Sequence, residues 1–192
     1  MFHKSPQNAW GFFSVMIIVS QWLELLERVI EMKAIVIVNK NWAIGTHGKL
    51  LYSIREDMAH FKRLTFGANV IYGRKTLNSF PHGEPLKGRN NIVLSHNSLL
   101  NANGCKVVNS LEQLKQLNEF GDDNTFVIGG ESVYKQLLPY CDVVYATIVY
   151  DYAQGDAHFQ NLFKSDDWLP IHQSELKNDG YNIYKFVVFV RV

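Results

Sequence analysis

The chain has 192 residues, 47% of them hydrophobic and 13% aromatic, which is enough apolar material for one well-packed core and too little length for a second full domain. Lys and Arg total 19 against 18 Asp and Glu, so no overall field attracts nucleic acid or an anionic membrane, and any anionic ligand needs a local site. Cys105 and Cys141 lack the spacing of a metal site or of a disulfide-stapled secreted fold, so we expect no metal and a reducing cytoplasm.

Residues 1–31 differ from the rest and are predicted to be an appended extension, consistent with an upstream start codon. The apolar stretch 10–19 is interrupted by Gly11 and Ser14, is too short to cross a bilayer comfortably, and has no small-residue cleavage site after a basic start. Residues 21–30 have the pattern of an amphipathic helix. Two basic against three acidic side chains disfavour anionic lipid, so we expect no stable membrane association.

From residue 32 onward, strand-like apolar runs alternate with amphipathic runs, as in a mostly parallel sheet covered by helices. Strands are predicted over 34–38, 70–72, 91–94, 106–108, 125–128, 142–149, 169–174 and 181–190. Helices are predicted from Ser53 to about Thr65, from Gly73 to Phe80, from Ser110 to about Glu119 and from Glu131 to about Leu138. The Asp-Gly pair at 179–180 favours an antiparallel C-terminal hairpin. The prediction is therefore a single α/β domain over 32–192.

Local signals set several boundaries of these elements. Ser53 with Glu56, and Ser110 with Gln113, have capping-box spacing, so each serine is expected to cap its helix. Pro139 is expected to end the fourth helix. The segment 44–48 contains two glycines and is predicted to be a flexible loop.

Asp57 is the candidate ionisable group of the site. The side chains expected on one face of its helix are Ile54, Asp57 or Met58, Phe61, and Leu64 or Thr65. A carboxylate at the border of an apolar face loses hydration, so it raises its pKa or finds a donor-rich partner such as the N–C–N edge of a pterin ring. The alternative is that Asp57 merely favours the positive end of its own helix.

Two strand–glycine–helix junctions, at 73–76 and 128–131, place backbone N–H groups where phosphate can bind. Each alone is more often only a tight turn, but together they suggest a dinucleotide held across a sheet edge. Arg74 and Lys75, with Ser95 and His96 after the next strand, could surround a phosphate and favour NADPH over NADH. The alternative for Lys75 and His96 is an ordinary solvated side chain.

Over residues 32–192 the chain resembles dihydrofolate reductases, with the motifs in that family's order. The segments that carry the resemblance are EDMAHFK (56–62), YGRKT (72–76), PLKGRNNIVLS (85–95), VIGGESVY (127–134) and GDAHF (155–159). The resemblance implies a dihydrofolate-reductase-like fold and a monomeric, cytoplasmic NADP-dependent oxidoreductase that is a target of antifolates. Its reaction would be hydride transfer from NADPH to pterin C6 of dihydrofolate, giving tetrahydrofolate for one-carbon metabolism.

The resemblance also implies roles for individual residues. Asp57 would bind the pterin 2-amino group and N3, Thr147 would hydrogen-bond Asp57, and Arg89 would pair with the glutamate α-carboxylate. The implied catalytic residues are Asp57, Tyr52 and Thr147. The implied substrate-binding residues are Ile35, Val36, Asp57, Phe61, Leu86, Arg89 and Thr147. The implied cofactor-binding residues are Ile44, Gly45, Leu50, Gly73, Arg74, Lys75, Thr76, Ser95, His96, Ile128, Gly129, Gly130, Glu131, Ser132, Val133 and Tyr134.

The sequence departs from the family at 50–52, where a Pro-Trp pair is usual, and at Arg55, where a proline is usual. We expect the Tyr52 hydroxyl to hold the water that the family's tryptophan contacts. Asp57 would lie far from pterin N5, so solvent is expected to deliver the proton when the loop 44–50 opens. The segment 155–159 resembles the loop that supports 44–50.

Two rival functions stay open at this stage. A pyrimidine reductase of riboflavin synthesis would share the fold and NADPH, but Asp57 with Phe61 and Arg89 speaks against it. A nucleotide-binding module without catalysis, assembled through residues 1–31, is the second rival. Dihydrofolate-dependent loss of NADPH absorbance would discriminate between them and the reductase.

Overall fold

The computed structural model describes residues 32–100 and 102–192, so the expectations for residues 1–31 lie outside the described residues. Its strands are β1 (Lys33–Asn39), β2 (Ala43–Thr46), β3 (Lys49–Leu50), β4 (Asn69–Gly73), β5 (Asn90–Leu94), β6 (Cys105–Val108), β7 (Thr125–Gly129), β8 (Val143–Val149), β9 (Ala157–His158), β10 (Trp168–Gln173), β11 (Lys177–Asn178) and β12 (Ile183–Arg191). Its α-helices are α1 (Arg55–Thr65), α2 (Arg74–Ser79), α3 (Leu111–Lys115) and α4 (Glu131–Leu137). Single 3₁₀ turns follow at Pro81–Gly83, Leu138–Tyr140 and Leu162–Lys164. None of these helices is long and apolar enough to span a membrane.

The main sheet has the order β10-β12-β8-β1-β7-β4-β5-β6, with β11 beside β12. The strands from β8 to β6 in this order pair in parallel, whereas β12 is antiparallel to both β8 and β10. A parallel sheet is usually covered on both faces, and every residue of β1 after Lys33 is buried. The predicted α/β class, with an antiparallel C-terminal hairpin, is confirmed.

Alternation along β1 places two cores on opposite faces of the sheet. Ala34, Val36 and Val38 belong to the larger cluster, with side chains from α4 and β12. Ile35 belongs to a second cluster that includes residues of β4 and β7, and Phe61 of α1 packs against it. Because successive strand residues point to opposite faces, this strand joins both cores and holds α1 on one of them.

The predicted capping box at the start of α1 is wrong. The residue that precedes α1 is Ile54, in an extended conformation, and no side chain caps the helix. Glu56 instead bonds to Lys177, at 2.8 Å, and accepts a hydrogen bond from the Tyr184 hydroxyl, at 2.7 Å. Tertiary partners from the C-terminal strands therefore replace the local bond that the capping box requires.

Ser110 does cap α3, since its Oγ accepts a hydrogen bond from the backbone N–H of Gln113 at 3.2 Å. The helix ends at Lys115, however, and not near Glu119 as predicted. The Glu119 carbonyl accepts from Thr125 Oγ1 at 2.7 Å, and its carboxylate pairs with Lys106 at 2.6 Å. These contacts tie Glu119 to the start of β7 and to β6, which a continued helix would not allow.

The loop predicted at 44–48 is wrong in part, because residues 44–46 lie in β2, which forms a hairpin with β3. The turn residues His47 and Gly48 both have positive φ, at 49° and 75°, as a tight hairpin turn requires. The Asp156 carboxylate accepts from the His47 N–H at 2.8 Å, and β9 pairs with β2. The segment 155–159 thus contacts the hairpin directly.

Asn39, at the end of β1, is fully buried and joins three segments. Its Nδ2 donates to the Ala153 carbonyl at 2.7 Å and to the Tyr52 hydroxyl at 3.2 Å. Its Oδ1 accepts from the N–H groups of Asn41 and Ala43. Since buried polar groups are costly when unpaired, this side chain holds the chain around the hairpin base in place.

We expect Asn39→Ala to lower the free energy of unfolding by about 2 kcal/mol, because three backbone groups, among them the buried N–H of Ala43, lose their partner. Urea unfolding followed by circular dichroism measures this change. The control is Asn118→Ala, which removes an exposed amide with no hydrogen bond to the described residues and should change stability little. Equal stability of both variants would contradict the structural role of Asn39.

Candidate active site

A cavity of about 310 Å³ lies between α1, β1 and the segment after α2. The residues predicted from the sequence that line it are Ile35, Val36, Leu50, Asp57, Phe61, Thr76, Leu86, Ile128 and Tyr134. It is therefore bounded by substrate-binding and cofactor-binding candidates together. The volume is within the range of small-molecule sites, which are mostly apolar with a few placed polar groups.

Asp57 is the carboxylate in the wall of this cavity. Thr147, buried in β8, donates a hydrogen bond from its Oγ1 to Asp57 Oδ1 at 2.6 Å. Burial raises the pKa of Asp57, and the bond from Thr147 lowers it in part. No Lys, Arg or His of the described chain forms an ion pair with Asp57, so a hydroxyl is its protein partner. This environment is not that of a surface residue that merely favours a helix start.

The neighbouring Glu56 has the surroundings of an ordinary surface carboxylate on the same helix. Its side chain is half exposed and pairs with Lys177, and hydrogen bonds from Lys177 and Tyr184 lower its pKa. Consecutive residues of a helix point about 100° apart, so Glu56 and Asp57 meet different surroundings. The desolvation of Asp57 is therefore specific to the cavity face of α1.

The apolar walls of the cavity are fixed by buried polar contacts behind them. The Tyr134 hydroxyl donates to the Ile35 carbonyl at 2.7 Å and so joins α4 to β1. Asn91 exchanges hydrogen bonds with the Leu86 backbone, at 3.1 and 2.9 Å, and accepts from the Tyr72 hydroxyl at 2.8 Å. These bonds set the positions of Ile35 and Leu86 before any ligand binds.

The glycine junctions meet at one edge of the sheet, because β4, β5 and β7 are neighbouring parallel strands. A Cβ added to Gly73 would lie 3.1 Å from Val133 Cγ2, and one added to Gly130 would lie 3.4 Å from Thr76 Oγ1. Gly129 has φ +110°, and a Cβ there would lie 2.8 Å from the Tyr134 ring. A side chain at Gly129 would therefore collide with Tyr134, whereas one at Gly73 would need Val133 to shift by a few tenths of an ångström.

The polar candidates of this edge differ in exposure. Arg74 and Lys75 at the start of α2, and His96 after β5, are exposed and form no ion pair with any residue that the structure describes. Ser95 is buried, and its Oγ accepts from the Asn97 N–H at 3.2 Å. At the start of α4, Glu131 pairs with Lys135 at 2.7 Å, Ser132 is exposed, and Val133 is buried in the larger core.

Tyr52 and Arg89 are among the predicted residues that do not line the cavity. The Tyr52 hydroxyl donates to Asp151 Oδ2 at 2.7 Å and accepts from Asn39, so it is engaged at the base of the hairpin. Burial, followed by the Asp151 hydrogen bond, raises the pKa of Tyr52 to about 12. Arg89 lies at the far end of α1, where it donates to Thr65 Oγ1 at 3.2 Å and to the Lys87 carbonyl at 2.7 Å.

The hairpin contributes to the cavity through its second strand. Leu50 is 60% exposed and lines the cavity together with Lys49, whereas Ile44 is buried in the larger core. A Cβ on Gly45 would lie 2.7 Å from the Lys49 carbonyl oxygen, so the two strands pack tightly. Ile44 and Gly45 therefore support the cavity edge, while Leu50 forms part of it.

Sequence reasoning missed several lining residues. They are Ile37, Lys49, Met58, Ser79, Phe80 and Pro81. Ile37 follows Ile35 by two positions on the same strand face, which the alternation rule could have indicated. Phe80 and Pro81 come after α2, and their approach to α1 depends on tertiary packing that no local pattern reveals. Within residues 32–100 and 102–192, no group of three His, Cys, Asp or Glu side chains could hold a metal ion.

Comparison with known proteins agrees with this geometry. A sequence model of the family described as "Dihydrofolate reductase" matches residues 31–191. The dihydrofolate reductase of Bacillus subtilis (strain 168) is 34% identical over 149 residues, which cover 78% of this chain and 86% of that protein. The dihydrofolate reductase type 3 of Salmonella typhimurium is 33% identical over 153 residues, covering 79% and 92%.

A solved structure is also similar. It is the dihydrofolate reductase from Enterococcus faecalis complexed with NADP(H) and RAB-propyl, with a TM-score of 0.74 and 27% sequence identity. The match covers 83% of this chain and 95% of that one. The family predicted from the motifs is confirmed: with the family model matched over nearly all of the described residues, this chain belongs to the dihydrofolate reductase family.

Proposed function

We propose that this chain reduces dihydrofolate to tetrahydrofolate with NADPH. The observation that carries the proposal is the desolvated carboxylate of Asp57, bonded to Thr147 in the wall of a mostly apolar cavity beside the two glycine turns. Family membership supports the reaction, and the similar Enterococcus faecalis enzyme has NADP(H) bound. The rival pyrimidine reductase lacks the substrate-helix carboxylate, and a module without catalysis would not need one.

Asp57 is the residue that binds and orients the substrate. An ionised carboxylate accepts two parallel hydrogen bonds, and the pterin N3 and 2-amino group offer two donors at that spacing. Thr147 acts as a positioning residue, because its bond to Oδ1 fixes the carboxylate plane. Phe61, Ile35 and Leu86 cover the ring and exclude water, which strengthens the electrostatic interaction with Asp57.

Arg89 is proposed to pair with the glutamate α-carboxylate of the substrate. It uses three of its five N–H donors on Thr65 and the Lys87 carbonyl, and so keeps two for a ligand. Burial lowers its pKa, but an arginine stays charged at any physiological pH. Its held position at the end of α1 suits the tail of a substrate whose ring lies at Asp57.

The residues at the glycine edge fit a dinucleotide. The turn at Gly129 leaves no room for a Cβ and the one at Gly73 leaves little, so the backbone itself forms much of the surface there. The first turn of each helix also has N–H groups without intrahelical acceptors. Arg74, Lys75 and His96 would hold the phosphates, and Ile128 with Tyr134 would lie beside the nicotinamide. When bound, NADPH supplies the hydride for pterin C6.

The proton for N5 is proposed to come from solvent. Asp57 binds the opposite edge of the pterin, so its role is to anchor and polarise the ring. Leu50 and Lys49 border the cavity, and movement of the β2–β3 hairpin would admit water there. Tyr52, bonded to Asp151, supports the hairpin base in this scheme and does not hold the catalytic water.

We also propose that residues 32–192 form the catalytic domain and that residues 1–31 are an appended extension. The near-zero formal charge supports a small-molecule substrate without a nucleic-acid partner, and the free cysteines support a reducing, cytoplasmic location. N-terminal sequencing of the native protein tests whether the extension exists in the cell.

Asp57→Asn should reduce turnover at neutral pH by about 10²-fold or more, because the neutral amide cannot polarise the pterin. Activity should recover partly in acid, where the substrate arrives protonated. The measurement is dihydrofolate-dependent loss of NADPH absorbance across pH. The matched control is Asp123→Asn, an exposed carboxylate outside the cavity, which should keep the wild-type rate and pH profile. Normal neutral-pH turnover by Asp57→Asn would refute the assignment.

Asp57→Asn should also stabilise the ligand-free protein at neutral pH. Burial makes the pKa of Asp57 higher in the folded protein than in the unfolded chain. Asp57 therefore contributes its full stabilisation at a pH below its pKa in the unfolded chain, and this contribution is lost as the pH rises through its pKa in the folded protein. The amide avoids that loss, so we expect a gain of about 0.5–2 kcal/mol near neutrality. Thermal unfolding across pH should show the gain shrink as the pH falls toward about 4. A variant that is less stable at every pH would contradict the burial argument.

A further inference from the structure

A second cavity, also of about 310 Å³, lies on the other side of α1 from Asp57. We call it the posterior cavity. It is lined on its helix side by Glu56, Ala59, His60 and Arg63. Their spacing of three, four and seven residues places them on one face of the helix. That face differs from the one that carries Asp57 and Phe61, so α1 separates two cavities of similar size.

The sheet side of the posterior cavity is formed by β8, β12 and β10, and a β-bulge places one of its residues. In the pairing of β10 with β12, the register shifts between Pro170 and His172, so His172 lies opposite Val188. Without that extra residue, His172 would lie opposite Val187 and point to the other face. The bulge therefore turns an imidazole into the cavity beside Phe186 and Val188.

Arg63 supplies a positive charge at the posterior cavity that no carboxylate of the described residues neutralises. Its Nη2 lies 2.7 Å from His60 Nδ1, and an arginine can only donate, so the imidazole nitrogen is the acceptor. Lys177, by contrast, is paired with Glu56 at 2.8 Å. The lining therefore carries a net positive charge centred on Arg63.

The bond from Arg63 also fixes the form of His60. Since Nδ1 accepts, a neutral ring carries its proton on Nε2 and can donate from there. Burial, and then the charge of Arg63, lower the pKa of His60. Its ring lies 4.8 Å from Phe186 and 6.4 Å from Tyr145, between centroids. These rings form an aromatic wall next to the guanidinium, and the Tyr145 hydroxyl has no hydrogen bond to the described chain.

We propose that the posterior cavity binds a small organic anion with a flat aromatic body. Its carboxylate would pair with Arg63, and its ring would pack against His60 and Phe186. A guanidinium beside an aromatic surface recognises both parts of such a ligand, since it offers parallel N–H donors for the carboxylate while the rings pack against the aromatic body. The site is independent of dihydrofolate reduction, because none of its residues lines the Asp57 cavity.

The probe is β-naphthoate, titrated calorimetrically into the full-length protein, with uncharged β-naphthamide as the matched ligand. We expect saturable one-site binding of the naphthoate. The amide should bind at least roughly tenfold more weakly, because one charged hydrogen-bonded contact is lost. Arg63→Gln should weaken naphthoate binding by a similar roughly tenfold factor. Arg55→Gln removes an exposed charge from the same helix outside the cavity and should leave the affinity unchanged.

Two more variants decide which cavity is occupied. Ala59→Phe should fill the posterior cavity from the exposed side of α1 and abolish binding, with circular dichroism reporting whether the fold is kept. Phe61→Ala alters the Asp57 cavity alone and should leave naphthoate affinity unchanged. The proposal is overturned if no saturable binding occurs, if Arg63→Gln binds as tightly as the wild type, or if Phe61→Ala abolishes binding.

Discussion

The hydrogen bond from Thr147 to Asp57 is the interaction on which the site depends, because it holds a carboxylate where water cannot reach it freely. It joins α1 to β8 across a separation of 90 residues, so it exists only when the sheet is complete. A partly buried carboxylate with a hydroxyl as its protein partner costs folding free energy and is suited to a ligand that brings hydrogen-bond donors. The side chain that is expected to bind the ligand thus lowers the folding stability of the ligand-free protein.

Helix α1 distributes its charges between two surroundings. Asp57 faces an apolar cavity, whereas Glu56 pairs with Lys177 and Arg63 donates to His60 on the opposite side. The desolvated carboxylate of Asp57 and the guanidinium of Arg63 therefore lie on the same helix without contacting each other. If they met, the ion pair would lower the pKa of Asp57 and remove its need for a ligand.

The fold was largely predictable, because its strong signals are local. The apolar run at β1, the glycine junctions at 73 and 129, and the Asp-Gly turn each indicated the element that forms there. The border position of Asp57 also followed from helical spacing alone. The predictions that were wrong concern residues with tertiary partners. Glu56 bonds to Lys177 and Tyr184 and forms no capping box, and Glu119 lies beyond its predicted helix and pairs with Lys106.

The candidate site was predictable in its centre and less so at its edges. The strand ends and α1 supplied Asp57, Phe61 and Ile128, but the contribution of Phe80 depends on how the chain turns after α2. The role of the Tyr52 hydroxyl depended on Asp151, which lies 99 residues further along the chain. Partners so distant in sequence leave no local pattern.

The most direct measurement is the pKa of Asp57 itself, from the carboxyl carbon NMR signal of the ligand-free protein, assigned by its absence in Asp57→Asn. We expect a pKa above the ordinary aspartate value, because burial outweighs the bond from Thr147. Thr147→Val should raise it further, since the remaining stabilisation of the charged form is lost. A pKa at or below the ordinary value would mean a solvated or ion-paired carboxylate and would contradict the desolvation of Asp57.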